Sequence, residues 1–131
     1  MIIDTSAVIA ILFLEPETRR FNELIAEAAD CRMSAANYLE AGIVLDAARN
    51  PIVSRKLDEF VRSAGILIEP VTAAHAKIAR EAYRDFGRGS GHAAQLNFGD
   101  CFAYALAKDR GEALLFKGKD FAQTDVTAAL D

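Results

Sequence analysis

Short apolar runs of strand length alternate along this chain with amphipathic stretches of helix length, and this alternation restricts the possible folds more than any other feature. Met1-Ile2-Ile3 is broken by Asp4 and reads as a buried strand ending at the aspartate. Thr5 and Ser6 are helix-capping types, which predicts a helix over Ala7–Leu14. Pro16 fits the first turn of a second helix, whose Phe21, Leu24, Ile25 and Ala28 share one face. Residues 29–33 return the chain with a short strand, and Ser34 caps a helix that runs to Asn50-Pro51. Val53, Leu57, Phe60, Val61 and Ala64 mark a helix over 53–64, closed by Gly65. Ile66-Leu67-Ile68 is a strand, and Thr72 caps a helix to Phe86. The Gly/Ser-rich residues 87–92 form an internal loop, too short to link domains. A helix from Phe98 to Asp109 is stopped by Gly111. Ala113–Phe116 is a further strand, Gly118 turns the chain, and residues 126–130 form a last short element. Strands and helices in this order build an α/β domain, a central parallel β-sheet flanked by α-helices on both faces. Crossovers in such a sheet are right-handed, and ligands gather at the carboxyl ends of its strands. A chain of 131 residues is expected to form one domain over 1–131.

Composition narrows the function classes. Fifteen Lys and Arg against nineteen Asp and Glu leave a formal charge of −4, which excludes a strongly basic nucleic-acid binder but not a local basic rim. With 52% hydrophobic and 26% charged residues the chain is globular, not disordered, collagenous or coiled-coil. Cys31 and Cys101 each lie in an apolar stretch and read as buried free thiols in a reducing compartment. Neither belongs to a zinc-type cluster. The apolar run Ala7–Leu14 is far shorter than the roughly 20 residues a membrane span needs. A cytoplasmic location and no membrane anchor are therefore expected.

The chemistry lies in acids set among apolar residues. Asp4 ends the first strand, at the edge where sites form; a helix-capping role would also place an aspartate there. Glu40 interrupts the almost wholly apolar Asn37–Leu45, either buried at a site or on a narrow exposed stripe. Asp100 stands in Phe98–Ala107 behind Gly99, as a site acid or as a helix cap. Asp120 follows the last clear strand and a tight turn, Phe116–Phe121. A lone buried carboxylate costs several kcal/mol, and clustered carboxylates repel one another until a proton or a cation intervenes. Divalent magnesium or manganese takes carboxylate oxygens and water, which makes metal-assisted phosphodiester chemistry plausible from the residues alone.

These same segments carry a family resemblance. Met1-Ile2-Ile3-Asp4-Thr5-Ser6-Ala7, Asn37-Tyr38-Leu39-Glu40, Asn97–Ala105 and Leu114–Phe121 resemble the PIN-domain family, in order and spacing over essentially the whole chain. Within it they are most similar to the VapC toxins of bacterial type II toxin–antitoxin pairs. The resemblance implies a Mg2+- or Mn2+-dependent ribonuclease that hydrolyses RNA phosphodiester bonds in line, without a side-chain nucleophile, to a 5′-phosphate and a 3′-hydroxyl. It implies inhibition by a cognate antitoxin of the VapB kind, a homodimer, and toxin–antitoxin hetero-oligomers. Carried over, Asp4 and Asp100 are the principal metal ligands, Glu40 completes the acidic pocket, and Ser6 orients the acids by hydrogen bonds. The chain departs from the pattern in the 117–121 turn, where many relatives have Asp or Asn at the place of Lys119. Asp120 then acts as a water-mediated ligand, or the pocket has three acids and a nearby ammonium.

An RNA substrate needs cations at the mouth of such a pocket. Arg84, Arg88, Lys108, Arg110, Lys117 and Lys119 are candidates for this rim, with Arg88 in its Gly/Ser loop the most suggestive and Lys117 and Lys119 beside it as the expected substrate-binding residues. His92, in the loop, is a further candidate contact, whereas His75 reads as structural. A dehalogenase-like phosphatase would need an aspartate at position 6, where Ser6 stands; a phospho-acceptor domain would need one after Ile66–Ile68, where Glu69-Pro70 stands. The remaining alternative is a catalytically degenerate PIN-like binding or regulatory module.

Overall fold

The computed structural model describes residues 1–130. Four parallel strands form one sheet in the order β3-β2-β1-β4: β1 (Ile2–Ile3), β2 (Cys31–Ser34), β3 (Ile66–Glu69) and β4 (Leu114–Leu115). Helices α1 (Thr5–Leu12) and α2 (Thr18–Glu27) join β1 to β2. Helices α3 (Ala35–Ala47) and α4 (Pro51–Ala64) join β2 to β3, and α5 (Ala73–Phe86) and α6 (Phe98–Arg110) join β3 to β4. Beyond β4 a 3-10 turn spans Phe121–Gln123. Residues 126–130 then bridge Leu114 through Ala128, the short last element expected from the sequence.

Two apolar layers sandwich the sheet. Ile3 joins Val8, Phe21, Met33, Leu45, Leu57 and Leu115 in the layer of α1–α4. Ile2, its neighbour in the pleat, joins Ala79, Leu96, Tyr104, Leu106, Leu114 and Phe121 in the layer of α5 and α6. Alternate residues of a strand face opposite sides, so a strand of two isoleucines supplies both layers. Cys31 and Cys101 are buried free thiols.

Three helix boundaries differ from the expectation. Asp4, not Thr5 or Ser6, caps α1: its backbone is extended and its carboxylate accepts from Ser6 N–H, so the helix starts at Thr5 and ends at Leu12. Pro16 precedes α2, which begins at Thr18. Asn50-Pro51 opens α4, where Asn50 Oδ1 accepts from Ile52 N–H and proline takes the first helical position, while α3 has already ended at Ala47. Gly65 and Gly111 close α4 and α6 in the left-handed conformation, which glycine adopts without steric cost.

The strand order locates the site. From β1 the chain moves outward through β2 to β3, then returns to place β4 on β1's other side. This reversal beside β1 is the switch point where α/β sheets leave a crevice at their carboxyl ends. Asp4 stands at its lip, its N–H donating to Leu115 O across the β1–β4 pair.

Candidate active site

Four elements bring acids to this crevice. Asp4 comes from the end of β1, Glu40 from α3, Asp100 from the first turn of α6, and Asp120 from the turn after β4. Asp4 is buried. Its Oδ2 accepts from Ser6 Oγ at 2.6 Å and Ser6 N–H at 3.0 Å, while its Oδ1 is buried without a hydrogen-bond partner. Burial lifts the Asp4 carboxyl to about 7 against the opposing Ser6 bonds, and nearby Asp100 and Glu40 add to the rise. Burial likewise lifts Asp100 to about 6; the Asn97 N–H and Arg88 oppose that rise, and Asp120 and Glu40 reinforce it. Asp100 thus feels Glu40, Asp120 and Arg88, and Asp4 feels Asp100 and Glu40.

Local sequence explains each position. Asp4 both caps α1 and reaches the crevice, so capping and a place in the pocket coexist. Asp100 is the third residue of a capping box: Asn97 Oδ1 accepts from its N–H and its Oδ2 accepts from Asn97 N–H, so its other oxygen takes no part in the cap. Glu40 is half-buried and follows Asn37 by one helical turn. Ser6 ties the end of β1 to the segment after β4, since its Oγ also accepts from Lys117 N–H at 2.9 Å.

The basic residues divide. Lys117 pairs with Glu15 and with Glu17 at 3.2 Å, and these partners raise its pKa and neutralise its charge. Arg84, Lys108 and Arg110 pair with Asp85, Asp125 and Glu112. Arg88 and Lys119 are exposed and make no ion pair among the described residues. Arg88 sits on a braced loop: its N–H donates to Leu96 O, and Ser90 Oγ donates to Gly87 O. His92 packs edge-on against Phe86 at 4.9 Å while its Nδ1 accepts from Ala94 N–H, so its ring serves the loop. His75 Nε2 lies 2.9 Å from Asp109 Oδ2, holding α5 to the end of α6.

One residue escaped the sequence reading. Asn37 is wholly buried, with its Nδ2 between Gly99 O and Glu40 Oε1. An amide on an otherwise apolar helix, one turn before Glu40, was the available signal.

The donor set suits a hard divalent cation. It is all oxygen, it contains one buried carboxylate oxygen with no partner, and two of its members are held up toward neutrality by burial and by neighbouring carboxylates. Among the described residues, no three His, Cys, Asp or Glu side chains are grouped tightly enough to hold an ion as they stand.

Known proteins are similar to this chain in sequence and in fold. Ribonuclease VapC28 of Mycobacterium tuberculosis is 57% identical over 131 residues, covering all of this chain and 98% of its own. The crystal structure of M. tuberculosis VapC20, titled a sarcin-ricin loop cleaving toxin, superposes with a TM-score of 0.73 at 16% identity, over 96% of this chain and 95% of that one. A toxin–antitoxin complex from Klebsiella pneumoniae gives 0.68 at 16% identity, over 92% and 89%. The PIN domain family model matches residues 1–126, a span that contains every strand and all four acids. With the sheet order, the acidic crevice and this full-length match in agreement, the chain belongs to the PIN domain family.

Proposed function

We propose that this chain is the toxin of a type II toxin–antitoxin pair and acts as a Mg2+- or Mn2+-dependent ribonuclease. Its full-length likeness to VapC ribonucleases supports the activity. The observation that carries the metal is the buried, unpartnered Oδ1 of Asp4, a carboxylate on which Asp100 and Glu40 act as like charges. Asp4 and Asp100 would hold the cation, with Glu40 and Asp120 completing its surroundings. When bound, the cation supplies Lewis acidity and activates water for attack on phosphorus. Ser6 keeps Asp4 in one rotamer through two hydrogen bonds and binds the end of β4 to the same point. Arg88 and Lys119 offer positive charge to a phosphate at the mouth of the pocket; Lys117, held by Glu15 and Glu17, contributes through its backbone contact with Ser6.

The partners follow from the exposed apolar surface. Phe13 and Leu14, beyond α1, are exposed beside the early helices, where an antitoxin segment would anchor. An arginine of that segment would reach the carboxylates, since its planar fork pairs bidentately with them. Leu39, Ile43 and Phe98 are exposed on α3 and α6, the face we assign to a second copy of the chain. No helix is long and apolar enough to cross a membrane among the described residues, and we place the protein in the cytoplasm.

The test is cleavage of a labelled single-stranded RNA by the purified chain with Mg2+, Mn2+ or EDTA. Cleavage with either metal, lost in EDTA and in the Asp100→Asn variant, is the expected result. RNA bound but uncut in both metals would leave only the non-catalytic binding module. Co-purification with the product of a small adjacent upstream gene, with loss of cleavage, would establish the antitoxin.

A further inference from the structure

The contact that fixes Glu40 against α6 is built from two residues with no other evident task. Asn37 Nδ2 donates to Gly99 O at 2.9 Å and lies 3.4 Å from Glu40 Oε1. Thr5 Oγ1, directly after Asp4, donates to Asn37 O at 3.1 Å. Asn37 therefore touches the elements that carry Asp4, Glu40 and Asp100. The orientation of its amide is dictated by charge: turned over, its oxygen would face a carbonyl and a carboxylate, both acceptors. Its Oδ1 is left buried with no partner, a cost that an apolar residue of the same size would avoid.

Gly99 supplies the other half. Its backbone is not left-handed, so conformation alone does not call for glycine there. A Cβ at this position would fall inside the van der Waals envelope of Glu40 Oε2 and crowd the whole carboxylate. The missing side chain is the space that Glu40 occupies.

We propose that Asn37 is a positioning residue which, with the bare Cα of Gly99, clamps the Glu40 carboxylate over the first turn of α6 and so sets its separation from Asp100. The inference rests on the metal-dependent reading of the pocket and deepens it. Without the clamp, Glu40 swings along the exposed side of α3 and the acids lose their common centre. Partners that orient the groups around a metal typically contribute about 10–100-fold in metal affinity, which sets the size of the effect.

Four variants of the full chain decide it: Glu40→Gln, Asn37→Leu, the double variant, and Gly99→Ala. Mn2+ affinity is measured by calorimetric titration, thermal unfolding is followed without metal, and RNA cleavage is measured in parallel. Glu40→Gln should weaken Mn2+ binding; unchanged binding would overturn the reading of the pocket and the clamp with it. Asn37→Leu should weaken Mn2+ binding about 10–100-fold in the wild-type background and add little to Glu40→Gln, because it acts through Glu40. An equal loss in both backgrounds would make Asn37 a packing residue and overturn the clamp. Gly99→Ala displaces Glu40 by a separate route and should reproduce the loss of affinity with the fold kept. If Asn37→Leu does not fold, Gly99→Ala decides alone: wild-type Mn2+ affinity in that variant refutes the proposal.

Discussion

Replacing Asp4 with asparagine tests the electrostatics of the pocket in the metal-free protein. Burial raises the Asp4 carboxyl from 3.8 to about 7, with Asp100 and Glu40 adding to the rise. Between those two values the native state keeps a proton that the unfolded chain releases, so this group's contribution to stability is complete below the lower value. It is lost as pH rises through the upper one. At 1.36 kcal/mol per pKa unit, the carboxylate destabilises the fold by about 4 kcal/mol at pH 8 and by about 1.5 kcal/mol at pH 5. Asparagine cannot ionise, yet its oxygen still caps α1 and accepts from Ser6. Its amide then occupies the site of the unpartnered oxygen, which costs about 1–3 kcal/mol at every pH. The decisive quantity is therefore the change between the two pH values. Urea unfolding in EDTA should show wild type losing about 2–3 kcal/mol more than Asp4→Asn between pH 5 and pH 8. Parallel pH profiles would refute the burial argument, and a variant unfolded at both pH values would assign Asp4 a purely structural role.

Asp100→Asn should abolish metal-dependent RNA cleavage while keeping the wild-type circular dichroism spectrum and cooperative unfolding; collapse of the fold would instead favour a capping role. Ser6→Ala removes a 2.6 Å bond to Asp4 and the acceptor for Lys117 N–H, and should cost about 1–2 kcal/mol in urea unfolding while raising the Asp4 pKa further. Lys119→Asp exchanges an exposed cation for an anion beside Asp120, and manganese titration should show several-fold tighter binding, since about 1 kcal/mol is available at 4 Å even in water. Equal affinity would place position 119 outside the field of the pocket. Leu45→Ala, in the layer under α3, should lower stability by about 2–5 kcal/mol by opening a cavity, with Mn2+ affinity of the folded protein unchanged.

Local pattern made the fold class legible before any coordinates. Ile2-Ile3, Ile66–Ile68 and Leu114-Leu115 are strands because short β-rich runs end at a polar or turn residue, and the helices between them follow from periodicity. Asp4, Glu40 and Asp100 stood out because a carboxylate in an apolar stretch is costly unless the fold has a use for it. Boundaries were less legible where one residue type serves two roles. Asp4 is a cap as well as a proposed pocket acid, and Asn50-Pro51 begins a helix with the same chemistry that ends one elsewhere.

What the tertiary structure decided is which charges and amides meet. Lys117 and Arg88 look alike as candidate phosphate contacts, but Lys117 is paired with Glu15, 102 positions away, whereas Arg88 makes no ion pair among the described residues and its charge opposes the rise of the Asp100 pKa. Asn37 and Gly99 are 62 positions apart, and neither is informative until the sheet order brings α3 against the start of α6. Propensity and hydrophobic period act over a few residues, so a sequence displays them directly. Coulomb and hydrogen-bond partners are chosen by proximity across elements, which exists only once the strands have taken their order around β1.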